Sequence, residues 1–461
     1  MTDVALLDDG LRPPAPMPRT EPLGLAALFR TLWHNPIEAW SRKHFDEPVV
    51  LEKFGFGRVY VVSEPGAIQH VLLDNAANYR KDPLQVRVLS TGLKGGLLTV
   101  EGQKWRAQRR TLAPVFAVKT VTSLAPPMMR AAETLVARWR ALETGSVVEL
   151  NNETTLLTFD MLERTIFSDA LGDDPEALRT AMTQYFDTVG RIDPFDVLGL
   201  PSFIPRLAHW RARKLLKYFN AAIDAMVARR RQQGGSSSDT PDLLTLLIAA
   251  RDPQTNEPMA QDELRANILT FIAAGQETTA NLITWSLFLL SQSDEWQERV
   301  AAEAERTADT PPPKLAAQLV ETTAVINEAL RLYPPITAIS RSAIEADEFA
   351  GQQVKRRSMV VISPYVLHRH RLLWERPDVF DPTRFLGPAR ESIGRFNYLP
   401  FGIGPHTCIG GYFSMQQAAL AVASIAKNFR LAVAPGHKVW PLQRMTLRPA
   451  GGLPMVVTRR A

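Results

Sequence analysis

Apolar side chains return every three or four positions along most of this chain. That spacing predicts helices over 126–142, 152–168, 175–188, 209–233, 261–291, 294–307, 315–332 and 412–429. Between 48 and 62 the pattern changes. Val49, Val50, Leu51, Phe54, Val59, Tyr60, Val61 and Val62 are apolar, mostly β-branched or aromatic, and are interrupted by glycines, which predicts a hairpin. Strand-like pieces return over 341–361 and 445–457, and no internal repeat is visible. The pattern predicts a mainly α fold with a smaller β portion, built as a single large domain over 22–461. Residues 1–21 mix Asp3, Asp8, Asp9 and Arg12 with several prolines and read as a flexible N-terminal tail. The Gly-Gly-Ser-Ser-Ser run within 232–239 reads as a flexible connection inside the domain, since helical spacing resumes at Pro241. A hinge there would let a ligand into a cavity otherwise sealed from water. The strongest apolar stretch, 267–290, is interrupted by Gln276, Glu277 and Asn281, which favours a buried helix over a membrane span.

Composition narrows the classes. The 461 residues are 45% hydrophobic and 22% charged, with no long low-complexity linker between halves, enough for a core that encloses a cofactor and a substrate cavity. A single cysteine excludes disulfides within the chain and multi-cysteine zinc sites, and suits a reducing, cytoplasmic setting. The N-terminal stretch has neither a basic region followed by an apolar core nor an anchor, so a protein free of the membrane is expected. Net charge is +5, and Lys104, Arg106, Arg109, Arg110 and Arg130 make one dense basic region. Aromatic residues are not interleaved with it as stacking platforms, which argues against nucleic acid and for an acidic protein partner.

The one cysteine, Cys408, lies in Phe401-Gly402-Ile403-Gly404-Pro405-His406-Thr407-Cys408-Ile409-Gly410, a glycine-rich loop running into an apolar helical segment. A lone buried cysteine is ordinarily a small hydrophobe. This loop points instead to a metal ligand: glycines permit backbone angles and close approaches closed to other residues, and a helix N-terminus beside the sulfur favours thiolate. Iron in haem is one acceptor that a single axial thiolate satisfies.

The loop resembles the F-x-x-G-x-[HR]-x-C-x-G signature of the cytochrome P450 family. The resemblance implies haem b, with Cys408 as the proximal iron ligand and Phe401 and Gly410 beside the cofactor. His406 stands where the family more often has arginine, so its expected bond to a haem propionate would be pH-sensitive. Ala274-Gly275-Gln276-Glu277-Thr278 places a glycine, an acid and a hydroxyl inside an apolar helix. Glycine there costs about 1 kcal/mol, and a threonine can bond back one turn and bend the helix, opening a groove. The run resembles the family's [AG]-G-x-[DE]-T element, which implies catalytic roles for Glu277 and Thr278 in supplying the protons that dioxygen reduction consumes.

Further matches follow in the family's order, from about Pro48 to the C-terminus. Glu328 and Arg331, with Arg384 in Pro377-Asp378-Val379-Phe380-Asp381-Pro382-Thr383-Arg384-Phe385, resemble the buried structural triad. Trp105 and Arg109, one helical turn apart, together with Arg341 and His406, resemble the propionate clamps. Alignment to the family's recognition segments nominates Leu97, Leu98, Phe271, Ala274, Ile336, Ala338, Met445 and Thr446 as walls of an apolar substrate pocket, suited to a fatty acid, terpenoid or related lipid. The implied activity is monooxygenation, inserting one atom of O2 into that substrate. Only about fifty residues follow Cys408 and no flavin or nicotinamide motif is present, so electrons would come from a ferredoxin or flavodoxin with its NAD(P)H-dependent reductase. A monomer is expected. Two other readings stand beside this one: a non-catalytic haem protein that binds a diatomic gas, for which a proton relay would be superfluous, and a helical protein without cofactor.

Overall fold

The helix Gln261–Ser291 organises the packing. It runs unbroken for 31 residues, and from Asn267 onward nearly all of its side chains are buried. A helix apolar on all sides must be covered on all sides. Here the cover comes from Leu150–Leu162, Val320–Leu332 and Gly411–Asn428. Asp262 and Glu263 occupy its first turn, where the helix dipole favours negative charge. The structure is a computed structural model that describes residues 10–21, 23–54, 57–168, 207–234 and 241–460. The helix expected over 175–188 and most of the flexible connection expected over 232–239 lie outside the described residues.

Twelve strands occur among the described residues: β1 (Val49–Phe54), β2 (Gly57–Val62), β3 (Tyr79–Lys81), β4 (Ser146–Glu149), β5 (Ile339–Ala343), β6 (Asp347–Phe349), β7 (Gln352–Val354), β8 (Met359–Ile362), β9 (Phe429–Val433), β10 (Pro441–Gln443), β11 (Leu447–Pro449) and β12 (Pro454–Arg459). The expected hairpin is β1–β2, registered from Val49 opposite Val62 to Phe54 opposite Gly57. It forms one edge of a five-stranded sheet of order β1-β2-β8-β5-β3, in which β2 and β8 run parallel. Across β3 and β5, Lys81 stands opposite Arg341. A second sheet, β4-β12-β9, packs on the central helix through β9 and on Leu150–Leu162 through β4, and β6–β7 and β10–β11 are separate hairpins.

Two expectations are corrected, and one helix is added. The segment 315–332 is two helices, Pro312–Gln318 and Val320–Leu332, broken at Leu319 (φ −83°, ψ 67°). The break is stabilised from outside: the buried Glu303 carboxylate accepts the backbone N–H groups of Glu321 (2.7 Å) and Thr322 (2.8 Å) and the Thr322 hydroxyl (2.7 Å), a cap supplied by another helix. The tail is not loose from residue 10 onward. Leu11 is buried and its carbonyl accepts Phe380 N–H (2.8 Å), Tyr333 donates its hydroxyl proton to Pro14 O (2.8 Å), and Arg19 bridges Ser41, because the few apolar side chains there find burial against the body. The helix Pro83–Leu93 was not foreseen, although Asp82 caps it on Leu84 N–H (2.9 Å) and Pro83 fills its first position, a start signal the residues do carry. No helix among the described residues is long and apolar enough to cross a membrane.

Candidate active site

The loop before Gly411–Asn428 is held by its own backbone. Cys408 N–H donates to Phe401 O (2.8 Å) and Thr407 N–H to Gly404 O (3.1 Å). Gly404 has φ +77°, and a Cβ there would lie 1.9 Å from Leu72 O, so only glycine fits between the loop and the body. Gly411 packs on Phe401, where a Cβ would meet the ring at 3.3 Å. At Gly410, by contrast, a Cβ would meet no protein atom within 4 Å.

Cys408 presents accessible surface, yet the protein around it is dense enough that burial pushes its thiol pKa up. It therefore faces an interior hollow. The acidification expected from the helix start is present, through the Gly410 N–H and the Arg109 charge, but desolvation outweighs both. A thiolate at this position needs a further positive partner, which a coordinated metal ion supplies.

Four basic side chains converge beside the thiol. Burial lowers the pKa of Arg109 and of Arg341, the latter only 8% exposed. His406 packs against Trp105 with ring centroids 4.0 Å apart and the planes tilted by 38°. Burial first, then Arg341, Lys81 and Arg109, push its pKa to about 3. The titration expected near neutrality is thus removed, and the ring stays neutral in the protein by itself. Lys81, which the sequence reading missed, is the fourth. Its pKa is lowered to about 8, by burial and Arg341 against the opposing pull of Glu101. Its Nζ donates to Leu97 O (2.9 Å) and Val100 O (2.8 Å). The carboxylate acting on both Lys81 and Arg341 is Glu101, too little to balance the group. Such a surplus fits the two propionates of haem, and the clear space at Gly410 and the thiol in its hollow fit the ring and its iron.

On the central helix, Ala274 is exposed between the buried Ala273 and Gln276, so a small residue stands uncovered in mid-helix. Thr278 Oγ1 donates back to Ala274 O (2.6 Å), as the residue types suggested, but the helix continues without a break. Gly275 is packed: a Cβ would come 3.3 Å from Leu162. Glu277 does not bond its neighbour Thr278 among the bonds described; its Oε1 accepts from Thr446 Oγ1 (2.7 Å). Thr279 and Ser414 hydroxyls meet at 2.9 Å, tying this helix to the one that follows Cys408.

The triad residues come together. Arg331 donates Nε and Nη2 to the two oxygens of Glu328, both at 2.7 Å, with both side chains fully buried. Its remaining donors meet His368 O (2.9 Å), Pro377 O (2.5 Å) and Val379 O (2.8 Å). Arg384 is more distant, with Nε 3.8 Å from Glu328. The link to the thiol loop runs through a residue not foreseen, His368, whose Nε2 accepts Leu399 N–H (2.8 Å) two residues before Phe401. Burial, then Arg331, lowers its pKa to about 3, which keeps that nitrogen an acceptor.

Of the nominated pocket walls, Leu98, Ile336 and Ala274 are exposed, Ala338 and Met445 are half-buried, and the buried Phe271 packs edge-on against Phe116 (4.8 Å). Leu97 is buried to the same degree as Phe271, with its N–H held by Asn267 Oδ1 (2.9 Å) and its carbonyl by Lys81. Thr446 is 2% exposed and spends its hydroxyl on Glu277 and Asn281.

Comparison with known proteins agrees with this geometry. The family model described as Cytochrome P450 matches residues 13–454. Cyclooctatin synthase of Streptomyces melanosporofaciens is 32% identical over 437 residues, covering 94% of each chain. Cyclooctat-9-en-7-ol 5-monooxygenase of the same organism is 29% identical, covering 93% of this chain and 92% of its own. In fold, the chain is similar to the crystal structure of the cytochrome P450DA heme domain, with TM-score 0.84, 22% identity, and 98% and 99% of the two chains covered.

Proposed function

The chain belongs to the cytochrome P450 family and is a monooxygenase of it; from that premise we propose that Cys408 is the residue that would hold the iron of a haem b as thiolate and that the substrate is a compact cyclic lipid, a terpenoid before a fatty acid. The observation that carries the site reading is the convergence of Arg109, Arg341, Lys81 and His406 beside the one thiol. Covalent haem attachment of the c type takes two cysteines, and this chain has a single one already assigned, which favours unmodified haem b.

When bound, haem supplies the iron at which dioxygen is reduced. The protein's own residues do the rest. Arg109, Arg341, Lys81 and His406 would hold the propionates, and Trp105 backs His406. Glu328 and Arg331 brace the segment through His368 to the thiol loop. Glu277 and Thr278 supply the two protons of the balanced reaction, in which R–H, O2, two electrons and two protons give R–OH and water. Electrons come from a separate redox partner, for which an acidic ferredoxin or flavodoxin with its reductase is the fit, and a chain whose single cysteine forms no disulfide within it suits the cytoplasm.

Support for the substrate class comes from the pocket and from the relatives. The nominated walls Leu98, Phe271, Ala274, Ile336, Ala338 and Met445 are apolar, with no cation to take a fatty-acid carboxylate. Two relatives are named for cyclooctatin chemistry, one for oxidation of a cyclic olefinic alcohol. Two measurements test the proposal. Cys408→Ala is expected to lose the reduced, carbon-monoxide-bound absorption of a thiolate-ligated haem; an unchanged spectrum would overturn the ligand. In a panel of ligands, cyclic terpenoid alcohols are expected to shift the haem spectrum at lower concentration than straight-chain fatty acids, and the reverse order would overturn the substrate class.

A further inference from the structure

Glu277, Asn281 and Trp285 stand four residues apart in succession on the central helix, and so share one face of it. All three bond the same turn, between β10 and β11. Trp285 Nε1 donates to Leu447 O (3.0 Å), Asn281 Nδ2 donates to Thr446 Oγ1 (2.9 Å), and Thr446 Oγ1 lies 2.7 Å from Glu277 Oε1. The turn is fixed besides by Leu447 N–H on Pro335 O (3.0 Å) and closed by Arg444 N–H on Thr446 O (2.9 Å). A hydroxyl has one proton to give. The Asn281 amide already donates to Thr446, which fills the accepting side of the hydroxyl. The Thr446 proton is therefore directed at Glu277.

We propose that Thr446 is a positioning residue for proton supply: it donates a hydrogen bond to the Glu277 carboxylate, and so ties the acid's placement to the turn at the C-terminal end of the chain. The inference rests on the reading of Glu277 as a proton donor. The turn also carries Met445 and is bonded to Pro335, next to Ile336, two of the nominated pocket walls. A substrate that presses on Met445 or Ile336 acts on the same turn, so the fit of the substrate and the placement of the acid are coupled through Thr446. A well-fitted substrate keeps Glu277 in place, and the two electrons and two protons are consumed in giving R–OH and water. With the acid misplaced, the same two electrons and two protons leave with O2 as hydrogen peroxide, and R–H is released unchanged.

The test uses the haem-loaded enzyme with its electron donor and a substrate that it hydroxylates. Thr446→Val removes the hydroxyl at nearly constant volume, and Thr446→Ser keeps it. Three quantities are read: the ratio of hydrogen peroxide to product, the solvent deuterium isotope effect on product formation, and the infrared carboxylate band that disappears in Glu277→Gln. In Thr446→Val the ratio is expected to rise about 10-fold, the size of one charge-assisted hydrogen bond, the isotope effect to grow and the band to move. Thr446→Ser is expected to restore all three. Should haem content fall in the valine variant, Thr446→Ala serves in its place. If Thr446→Val keeps the wild-type ratio while Glu277→Gln raises it, the positioning role is overturned and Glu277 stands. A raised ratio with an unmoved band overturns it too, since Thr446 would then act by pocket shape. If Glu277→Gln itself keeps the wild-type ratio, it is the reading of Glu277 that falls.

Discussion

Lys81 reaches the site by standing opposite Arg341 across β3 and β5, and its ammonium is shared between the carbonyls of Leu97 and Val100 and the basic cluster around His406. The groups facing it are Arg341, Glu101 and His406. Burial and Arg341 lower its pKa from the ordinary 10.5 to about 8, against Glu101. In the haem-free fold, then, its contribution to stability is present above 10.5 and lost as pH falls through about 8. Propionates favour the charged form, so haem binding takes up a proton in that window, and affinity should weaken as pH rises from 8 towards 10. Haem titrations of the haem-free protein are expected to show a steeper loss for wild type than for Lys81→Met. The thiol of Cys408 contributes equally to both and cancels, and equal slopes would refute the linkage. At this scale, legibility followed contiguity. The Phe401–Gly410 loop could be read because its glycines, histidine and cysteine are neighbours in sequence. Lys81, His368 and the bonding of Thr446 could not, since each owes its role to a partner far along the chain.

Among the elements, the two short helices Pro312–Gln318 and Val320–Leu332 show how a helix start can be dictated from elsewhere. Apolar spacing runs through Leu319 without interruption, and the residue itself carries no cap; the acceptor is Glu303, one helix earlier. Periodicity cannot show a cap that arrives through space, which is why 315–332 reads as one helix. Glu303→Ala would strand two backbone donors and a hydroxyl. A loss of about 2 kcal/mol is expected, read as a lower unfolding midpoint of the haem-loaded protein, and an unchanged midpoint would show the cap to be replaceable. The far end of the same helix carries Glu328 and Arg331, where the consequence is larger. Both are fully buried, and every donor of Arg331 is used. Removing either leaves an uncompensated buried charge, at about 3–5 kcal/mol. Because Arg331 also holds the His368 carbonyl, whose ring grips Leu399, Glu328→Ala and Arg331→Ala are expected to yield protein that does not retain haem. Normal haem content in either variant would refute the bracing role.

For the whole molecule, charge decides where an electron donor can dock, and here the structure redraws the surface that composition suggested. Lys104 is paired with Glu263 (3.0 Å), and Arg110 grips Asp252 with two bonds (3.1 and 2.8 Å), so two of the cations counted as free are tied to the body of the domain. Arg106, Lys119 and Arg130 remain exposed. Near Lys119 the exposed side chains of Val118 and Tyr412 add apolar contact surface. The Tyr412 and Thr122 hydroxyls lie 3.3 Å apart, which joins the short helix Val118–Ser123 to the start of the helix that follows Cys408. A donor seated there is close, along the chain and in space, to the proposed iron ligand. Sequence composition could supply the sign of this surface but not which cations had carboxylate partners. An acidic ferredoxin attracted by exposed charge should reduce the enzyme more slowly after Arg106→Glu or Lys119→Glu at low ionic strength, and the difference should shrink once salt brings the screening length to a few ångströms, at about 1 M. Arg110→Gln, which breaks an internal pair, should leave the salt dependence of reduction as in wild type. Reduction rates indifferent to salt in all four proteins would show that the donor docks elsewhere, by apolar contact instead of charge.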